Sequence, residues 1–194
     1  RLYRALTGNT RIRLGAGLMD APLSYYSTPA AGATLAGGPG RISDRPGRTW
    51  FGEAQFNWDS GSAHSVTAGA DLRRDASHAL ENVVPNYTRR SESATLSYWA
   101  EGKSYTRGVY AQHQWRPTER IVLVWGGRYD YWRTFEGKVQ LSPSSPLTRY
   151  EPRSNHAPSV KAAVLLRAPA GFALRASVGN AYRNPTIYDL YRTW

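Results

Sequence analysis

The stretch Gly108-Val-Tyr-Ala-Gln-His-Gln-Trp-Arg-Pro-Thr-Glu-Arg-Ile-Val-Leu-Val-Trp-Gly-Gly-Arg-Tyr-Asp-Tyr-Trp132 reads as two alternating strands joined by a tight turn at Arg116-Pro-Thr-Glu119. Successive strand residues point to opposite sides. In the first arm Val109, Ala111, His113 and Trp115 therefore share one face, and Tyr110, Gln112 and Gln114 the other. The second arm places Ile121, Leu123, Trp125, Gly127, Tyr129 and Tyr131 on one side, and Val122, Val124, Gly126, Arg128 and Asp130 on the other. Both arms have the roughly 9 to 11 residues that a tilted strand needs to cross a bilayer, against about 5 or 6 for an ordinary strand. Aromatic residues close both ends of the apolar face, as in the girdles of membrane barrels. The competing reading is a long hairpin in a soluble all-β domain.

The same unit recurs along the chain. Ile12, Leu14, Ala16 and Leu18 alternate with Arg11, Arg13, Gly15 and Gly17. Trp50, Ala54, Phe56 and Trp58 alternate with Glu53, Gln55 and Asn57, and the return strand puts His64, Val66, Ala68, Ala70 and Leu72 opposite Ser65, Thr67, Gly69, Asp71 and Arg73. A last hairpin sets Val160, Ala162, Val164 and Leu166 against Ser159, Lys161, Ala163 and Leu165, then Phe172, Leu174, Ala176 and Val178 against Arg175 and Ser177. Between the hairpins Asp20 to Arg48, Arg74 to Ser104 and Arg133 to His156 read as long connections. The second holds Asn82, Tyr87, Arg89, Arg90, Tyr98 and Trp99, of which Tyr87, Tyr98 and Trp99 are candidates for contact with a bulky polar ligand. The tally is eight strands, with every tight turn on one rim and every long loop on the other. Outer-membrane barrels have this asymmetry, with short periplasmic turns and long extracellular loops.

A chain of 194 residues with 41% hydrophobic residues and a mean hydropathy of -0.55 suits a polar-lumen barrel as well as a globular domain. No apolar run approaches the roughly 18 residues of a membrane-crossing helix. There is no cysteine, which removes disulfides, thiol nucleophiles and thiolate metal sites. The net charge of +11 invites a nucleic-acid reading, but only Lys103, Lys138 and Lys161 are lysines, and the arginines are dispersed without a basic helix. Nucleic acid is set aside as a partner. Arginine's planar fork suits phosphate and carboxylate, and an outer-membrane surface is rich in phosphate.

Catalytic readings find no support in the spacing. His64, His78, His113 and His156 are scattered, with no pair at helical metal spacing. The stretch Ser62 to Ser65 with Asp59 suggests a triad only if spacing is ignored, since a triad is a matter of geometry. Asp71 and Asp130 each lie two residues from an arginine on the same face, which predicts ion pairing in an enclosed interior. Neither a metal nor a cofactor is expected, and the chain is not read as an enzyme.

The stretch Gly179-Asn-Ala-Tyr-Arg-Asn-Pro-Thr-Ile-Tyr-Asp-Leu-Tyr-Arg192 resembles the barrel of TonB-dependent outer-membrane receptors, where a strand runs into an aromatic-Arg-x-Pro-Thr stretch and an acidic-Leu-Tyr element. Tyr182, Arg183, Pro185, Thr186, Asp189, Leu190 and Tyr191 match. The central hairpin is similar to that family's own at Val109 to Gln112, Gln114, Trp115, Arg128, Tyr129 and Asp130, with His113 where Asp or Glu is usual, and Gly69-Ala-Asp-Leu-Arg73 also fits.

The resemblance implies an all-β fold: about eight consecutive strands of an antiparallel transmembrane barrel of about 22 strands. The whole of 1–194 would be barrel, with no plug domain or TonB box. It implies energised uptake of a scarce small-molecule ligand across the outer membrane of a Gram-negative bacterium, with a ferric siderophore the leading metal chelate and cobalamin, haem or glycan as alternatives. The implied partners are outer-membrane lipid and lipopolysaccharide, and the TonB complex through a region outside this sequence. Arg73, Arg128, Asp130, Arg175 and Arg183 would face the lumen and its plug. The second reading is a complete small eight-stranded barrel with a structural or adhesive role. A terminal aromatic, Trp194, mimics a barrel-closing signal, but Ile187 to Thr193 lacks strand alternation.

Overall fold

A computed structural model describes residues 2–22, 25–89 and 94–191. Arg90 and the closing residues, Trp194 among them, lie outside the described residues. The strands are β1 (Leu2–Thr7), β2 (Thr10–Ala21), β3 (Tyr25–Pro29), β4 (Gly40–Asp44), β5 (Gly47–Ser60), β6 (His64–Val84), β7 (Thr95–Thr118), β8 (Ile121–Gln140), β9 (Thr148–Tyr150), β10 (Arg153–Arg167) and β11 (Ala173–Gly179), followed by one short helix, α1 (Ile187–Tyr191). All pairings are antiparallel, and eight strands follow one another in the order β1-β2-β5-β6-β7-β8-β10-β11. These are the eight strands of the alternation, and the whole is one open section of a barrel wall. A complete small barrel requires β1 to pair with β11, and it does not. That second reading is corrected accordingly.

The tight turns fall on one rim. Gly8-Asn9 joins β1 to β2, 61–63 joins β5 to β6, Glu119-Arg120 joins β7 to β8, and a 3-10 turn at Pro169–Gly171 joins β10 to β11. In the central hairpin the chain thus reverses slightly later than Arg116 to Glu119. Gly61 supports its turn with φ 58, a left-handed conformation that glycine reaches without a Cβ clash.

The other rim departs from expectation. The stretch 74–104 is mostly strand: β6 runs to Val84 and β7 starts at Thr95, so the connection is only 85–94. Strands β6, β7 and β8 contain 21, 24 and 20 residues, about twice what a bilayer needs. About half of each strand is therefore in excess of a bilayer's thickness. In the same way β8 reaches Gln140 and β10 begins at Arg153, which shortens the third connection, and β9 pairs with the end of β8. The expected irregular loop from Asp20 to Arg48 instead carries the β3–β4 hairpin, whose β4 adds to the upper part of β6. Tyr98 and Trp99 consequently stand on β7 and not in a loop.

On the convex side the apolar residues remain uncovered. Leu14, Leu18, Trp50, Phe56, Leu72, Val109, Trp125, Val160, Leu174 and Val178 are all exposed, from 41% at Phe56 to 74% at Val178. Among the described residues no second sheet lies over them. An apolar area this extended marks a surface made for another phase. A soluble sandwich would have buried it between sheets about 10 Å apart. From β2 to β10 each strand of this order is paired on both sides, as hydrocarbon requires of a wall.

Candidate functional site

The concave face carries the polar residues. Across β6, β7 and β8 the register aligns Asp71 with Gly108 and Gly108 with Asp130. Arg128, one inward position below Asp130 on β8, extends its guanidinium across β7. Its Nη1 donates to Asp71 at 2.6 Å, and its Nε donates to Asp130 at 2.8 and 2.9 Å. Gly108 makes that crossing possible, because a Cβ there would stand 2.1 Å from Nη2 of Arg128. The expected pairing of each carboxylate with its own neighbouring arginine is therefore half right. Arg128 serves both Asp71 and Asp130, while Arg73 pairs with Asp75 at 2.8 Å. Toward the β1 edge Arg13 donates to Glu53 at 2.8 Å, and Glu53 lies over Gly15.

Above this ladder the chain folds back over its own sheet. After β11, Asn180 ties to β10, accepting from the Val160 amide at 2.8 Å and donating to the Pro158 carbonyl at 3.1 Å. Tyr182 accepts from Asn155 on β10 at 2.7 Å, and Asn184 donates to Thr106 on β7 at 3.3 Å. The segment thus straps the concave face from the β11 edge toward β6. Pro185 precedes the helix, and Thr186 caps it. The Thr186 amide and hydroxyl donate to Asp189 at 3.0 and 2.7 Å, and the Asp189 amide donates back to the Thr186 hydroxyl at 3.1 Å. This reciprocal capping box explains the Pro-Thr-x-x-Asp order, and its bonds hold the Asp189 carboxyl below the ordinary carboxylate value.

Helix α1 then settles into a dent. The register shifts between Glu101 and Lys103, opposite Glu136, whose φ of 56 marks a bulge. Gly102 and Gly137 floor the dent: a Cβ at Gly137 would lie 2.3 Å from the Tyr191 ring, and one at Gly102 would lie 2.7 Å from it. Tyr191 shares a 2.9 Å hydrogen bond with the fully buried Thr134, and its carbonyl accepts from the Tyr98 hydroxyl at 2.6 Å. Ile187 and Tyr191 join Ala79, Tyr98, Ala100 and Val139 in a buried cluster that also receives Leu190 and Tyr150.

Between strap and ladder lies a cleft of about 580 Å³ lined by Asp71, Arg73, Asp75, Arg128, Asp130, Arg183 and Asn184. Of the residues expected in the lumen, Arg73, Arg128, Asp130 and Arg183 meet here. Arg175 faces the same side from the far edge strand β11. The loop candidates are separated. Tyr87 stays in the 85–94 connection, where its hydroxyl donates to the Thr34 carbonyl at 2.9 Å, whereas Tyr98 is 8% exposed and holds the strap. Asn184 went unnoticed in the sequence; its Oδ1 is buried without a hydrogen-bond partner in the cleft wall. Among the described residues no group of three His, Asp or Glu side chains is placed to hold a metal.

The wall has known counterparts. The ferric-catecholate import receptor Fiu from E. coli K12, in its open form, superposes with a TM-score of 0.68 at 16% identity, over 91% of this chain and 34% of that one. The copper transporter OprC superposes with a TM-score of 0.64 at 17% identity, over 94% and 29%. At such identities the likeness is one of fold, and the chain spans about a third of the length of either protein. No curated protein sequence matches it. The family described as TonB dependent receptor-like, beta-barrel matches residues 3–194, and with it the convex apolar wall, the concave ladder and the capped strap find one explanation: the chain belongs to the TonB-dependent receptor β-barrel family.

Proposed function

We propose that this barrel section forms part of the wall of an outer-membrane receptor that imports a scarce small-molecule ligand, with a ferric siderophore as the leading candidate. The observation that carries the reading is the two-sided wall: an uncovered apolar convex face backed by an ordered ladder of charge around Arg128. Lipid on one side and a hydrated lumen on the other satisfy both. In this reading no residue of the wall performs covalent chemistry. Arg73, Arg128, Asp130 and Arg183 present charge to a plug seated in the lumen, and the unpartnered Oδ1 of Asn184 offers it an acceptor. Arg175 extends the same face. Energy from TonB reaches the ligand through the plug, outside the residues described.

The choice of a ferric chelate draws support from the likeness to a ferric-catecholate import receptor, and the copper transporter supplies the contrasting outcome. A strain lacking the gene, grown under iron restriction with single ferric siderophores and separately under copper restriction, tests it. Loss of growth on one siderophore alone supports the proposal. A defect confined to copper restriction, or no defect in either medium, contradicts it.

A further inference from the structure

Just above the apolar band the convex face of the three central strands changes character. Arg74 on β6 pairs in register with Tyr105 on β7, and Tyr105 with Arg133 on β8; one inter-strand row below, Leu72 pairs with Arg107 and Arg107 with Tyr131. Arg74, Arg107 and Arg133 therefore stand on adjacent strands within two rows. With strands ~4.8 Å apart, Arg74 and Arg133 have backbones about 10 Å apart, within reach of one another's guanidinium groups. All three side chains are exposed.

Neighbouring acids are engaged elsewhere: Glu136 with Lys103, Glu101 with Lys138, and Asp20 with Arg48. None of the three arginines forms an ion pair among the described residues. Aromatic side chains contact them instead, and Arg133 hydrogen-bonds the Tyr105 side chain. The Arg107 guanidinium lies 4.7 Å over the Tyr105 ring and that of Arg74 lies 6.0 Å over Phe135, while Tyr105 packs on Phe135 and Tyr131 at 6.0 and 5.8 Å. A guanidinium that meets a ring, or spends a single donor on a hydroxyl, still has further donors to offer a phosphate. Immediately below lie Leu72 and Val109, exposed at 50% and 57%. Phosphate-binding groups directly above an acyl-chain surface are the two halves of a lipid site. The long-loop rim is the extracellular one in barrels of this kind, so the cluster meets the outer leaflet.

We infer that Arg74, Arg107 and Arg133 form a binding site for the phosphorylated headgroup of an outer-leaflet glycolipid, whose acyl chains lie along Leu72 and Val109. The inference rests on the membrane-wall reading above. Three strands with both neighbours present supply the whole site, so it needs no other part of the receptor.

The full-length receptor, purified in detergent, is titrated with diphosphoryl lipid A, with the same lipid after phosphatase treatment, and with inorganic phosphate. Bound lipid is read by native mass spectrometry, and folding by heat-modifiable migration in gels. Retention of diphosphoryl lipid A is expected, with a loss of about fivefold for each of Arg74→Gln, Arg107→Gln and Arg133→Gln, and on the order of a hundredfold for the triple variant. Lys161→Gln, on the concave face, is expected to bind as the parent does. A folded triple variant that binds diphosphoryl lipid A like the parent overturns the site, as does equal retention of the dephosphorylated lipid. Displacement by millimolar inorganic phosphate overturns the lipid assignment. In each case the barrel reading stands, since migration still reports a folded wall. A receptor that stays monodisperse without detergent overturns that reading and this site together.

Discussion

The lower and upper halves of the central strands are built from the same backbone ladder, yet only the lower half obeys the alternation that betrays it. Below the row of Asp71, Gly108 and Asp130, outward positions are mainly apolar and inward ones carry Thr67, Gln112 and Gln114, with Val122 and Val124 the apolar exceptions inside and His64 and His113 the polar ones outside. Above it the polarity inverts: Tyr98, Ala100 and Val139 face inward and are buried, while Glu101 and Lys138 form an ion pair on the outside. Alternation is a record of what touches each face, and lipid touches only the lower half. In the upper half the chain's own strap makes an apolar patch inside, and the bulge at Glu136 resets the phase.

Mutations at matched heights sharpen that contrast. The largest effect is expected from Ala111→Arg, which places a charge midway down the lipid-facing band and should cost about 2 to 4 kcal/mol in folding equilibria measured in liposomes. His78→Arg, on the same side but above the band, should change stability by less than about 0.5 kcal/mol. Equal costs at the two heights would erase the distinction. Next comes Gly137→Ala, whose methyl would meet the Tyr191 ring at 2.3 Å. Overpacking of this kind costs about 1 to 3 kcal/mol. Amide exchange should accelerate in 182–191 and leave the lower sheet unchanged, and adding Tyr191→Ala should cancel most of the penalty.

A smaller loss is expected at the boundary between the halves. Arg128→Met leaves Asp71 and Asp130 facing one another without their cation. Arg128 and Asp71 are 35% and 31% exposed, so solvent screens the pair and the cost should be about 1 kcal/mol. Adding Asp71→Asn should recover part of it in the same unfolding assay. In cells, charge reversal by Arg128→Glu should raise the permeability to large antibiotics if the ladder braces a plug; unchanged permeability counts against that role. The smallest effect concerns pH. Because the folded state lowers the Asp189 value, its cap stabilises α1 above the ordinary carboxylate value of about 4 and is lost as pH falls through the lower, folded one. Exchange of the α1 amides should rise over that acidic range, and Asp189→Asn should flatten the dependence.

The membrane wall was readable in the sequence because two solvents act on it. Val109, Trp125 and Val160 on one side, with Gln112, Arg128 and Lys161 on the other, leave a period of two that needs no partner to interpret. The carboxylates Asp71 and Asp130 were legible as ion-paired, though not that one arginine would serve both, since a contact across an intervening strand depends on Gly108 having no side chain. The extent of β6 and β7 was hidden for a related reason. Tyr98 and Ala100 are buried by residues about 90 positions later in the chain, and periodicity carries no trace of a cover that distant. The Thr186–Asp189 spacing was visible as a motif, and it could have been read as a capping box and hence a helix start.

Single cysteines placed one at a time from 121 to 131, in a section with no native cysteine, and spin-labelled in lipid vesicles provide the most direct test. Oxygen, which concentrates in the bilayer, should quench labels at 121, 123, 125, 129 and 131, while a water-soluble nickel reagent should quench those at 122, 124, 126, 128 and 130. Collisions that are uniform along β8, or water access at both parities, would contradict a wall with lipid on its convex side and a hydrated lumen on its concave one.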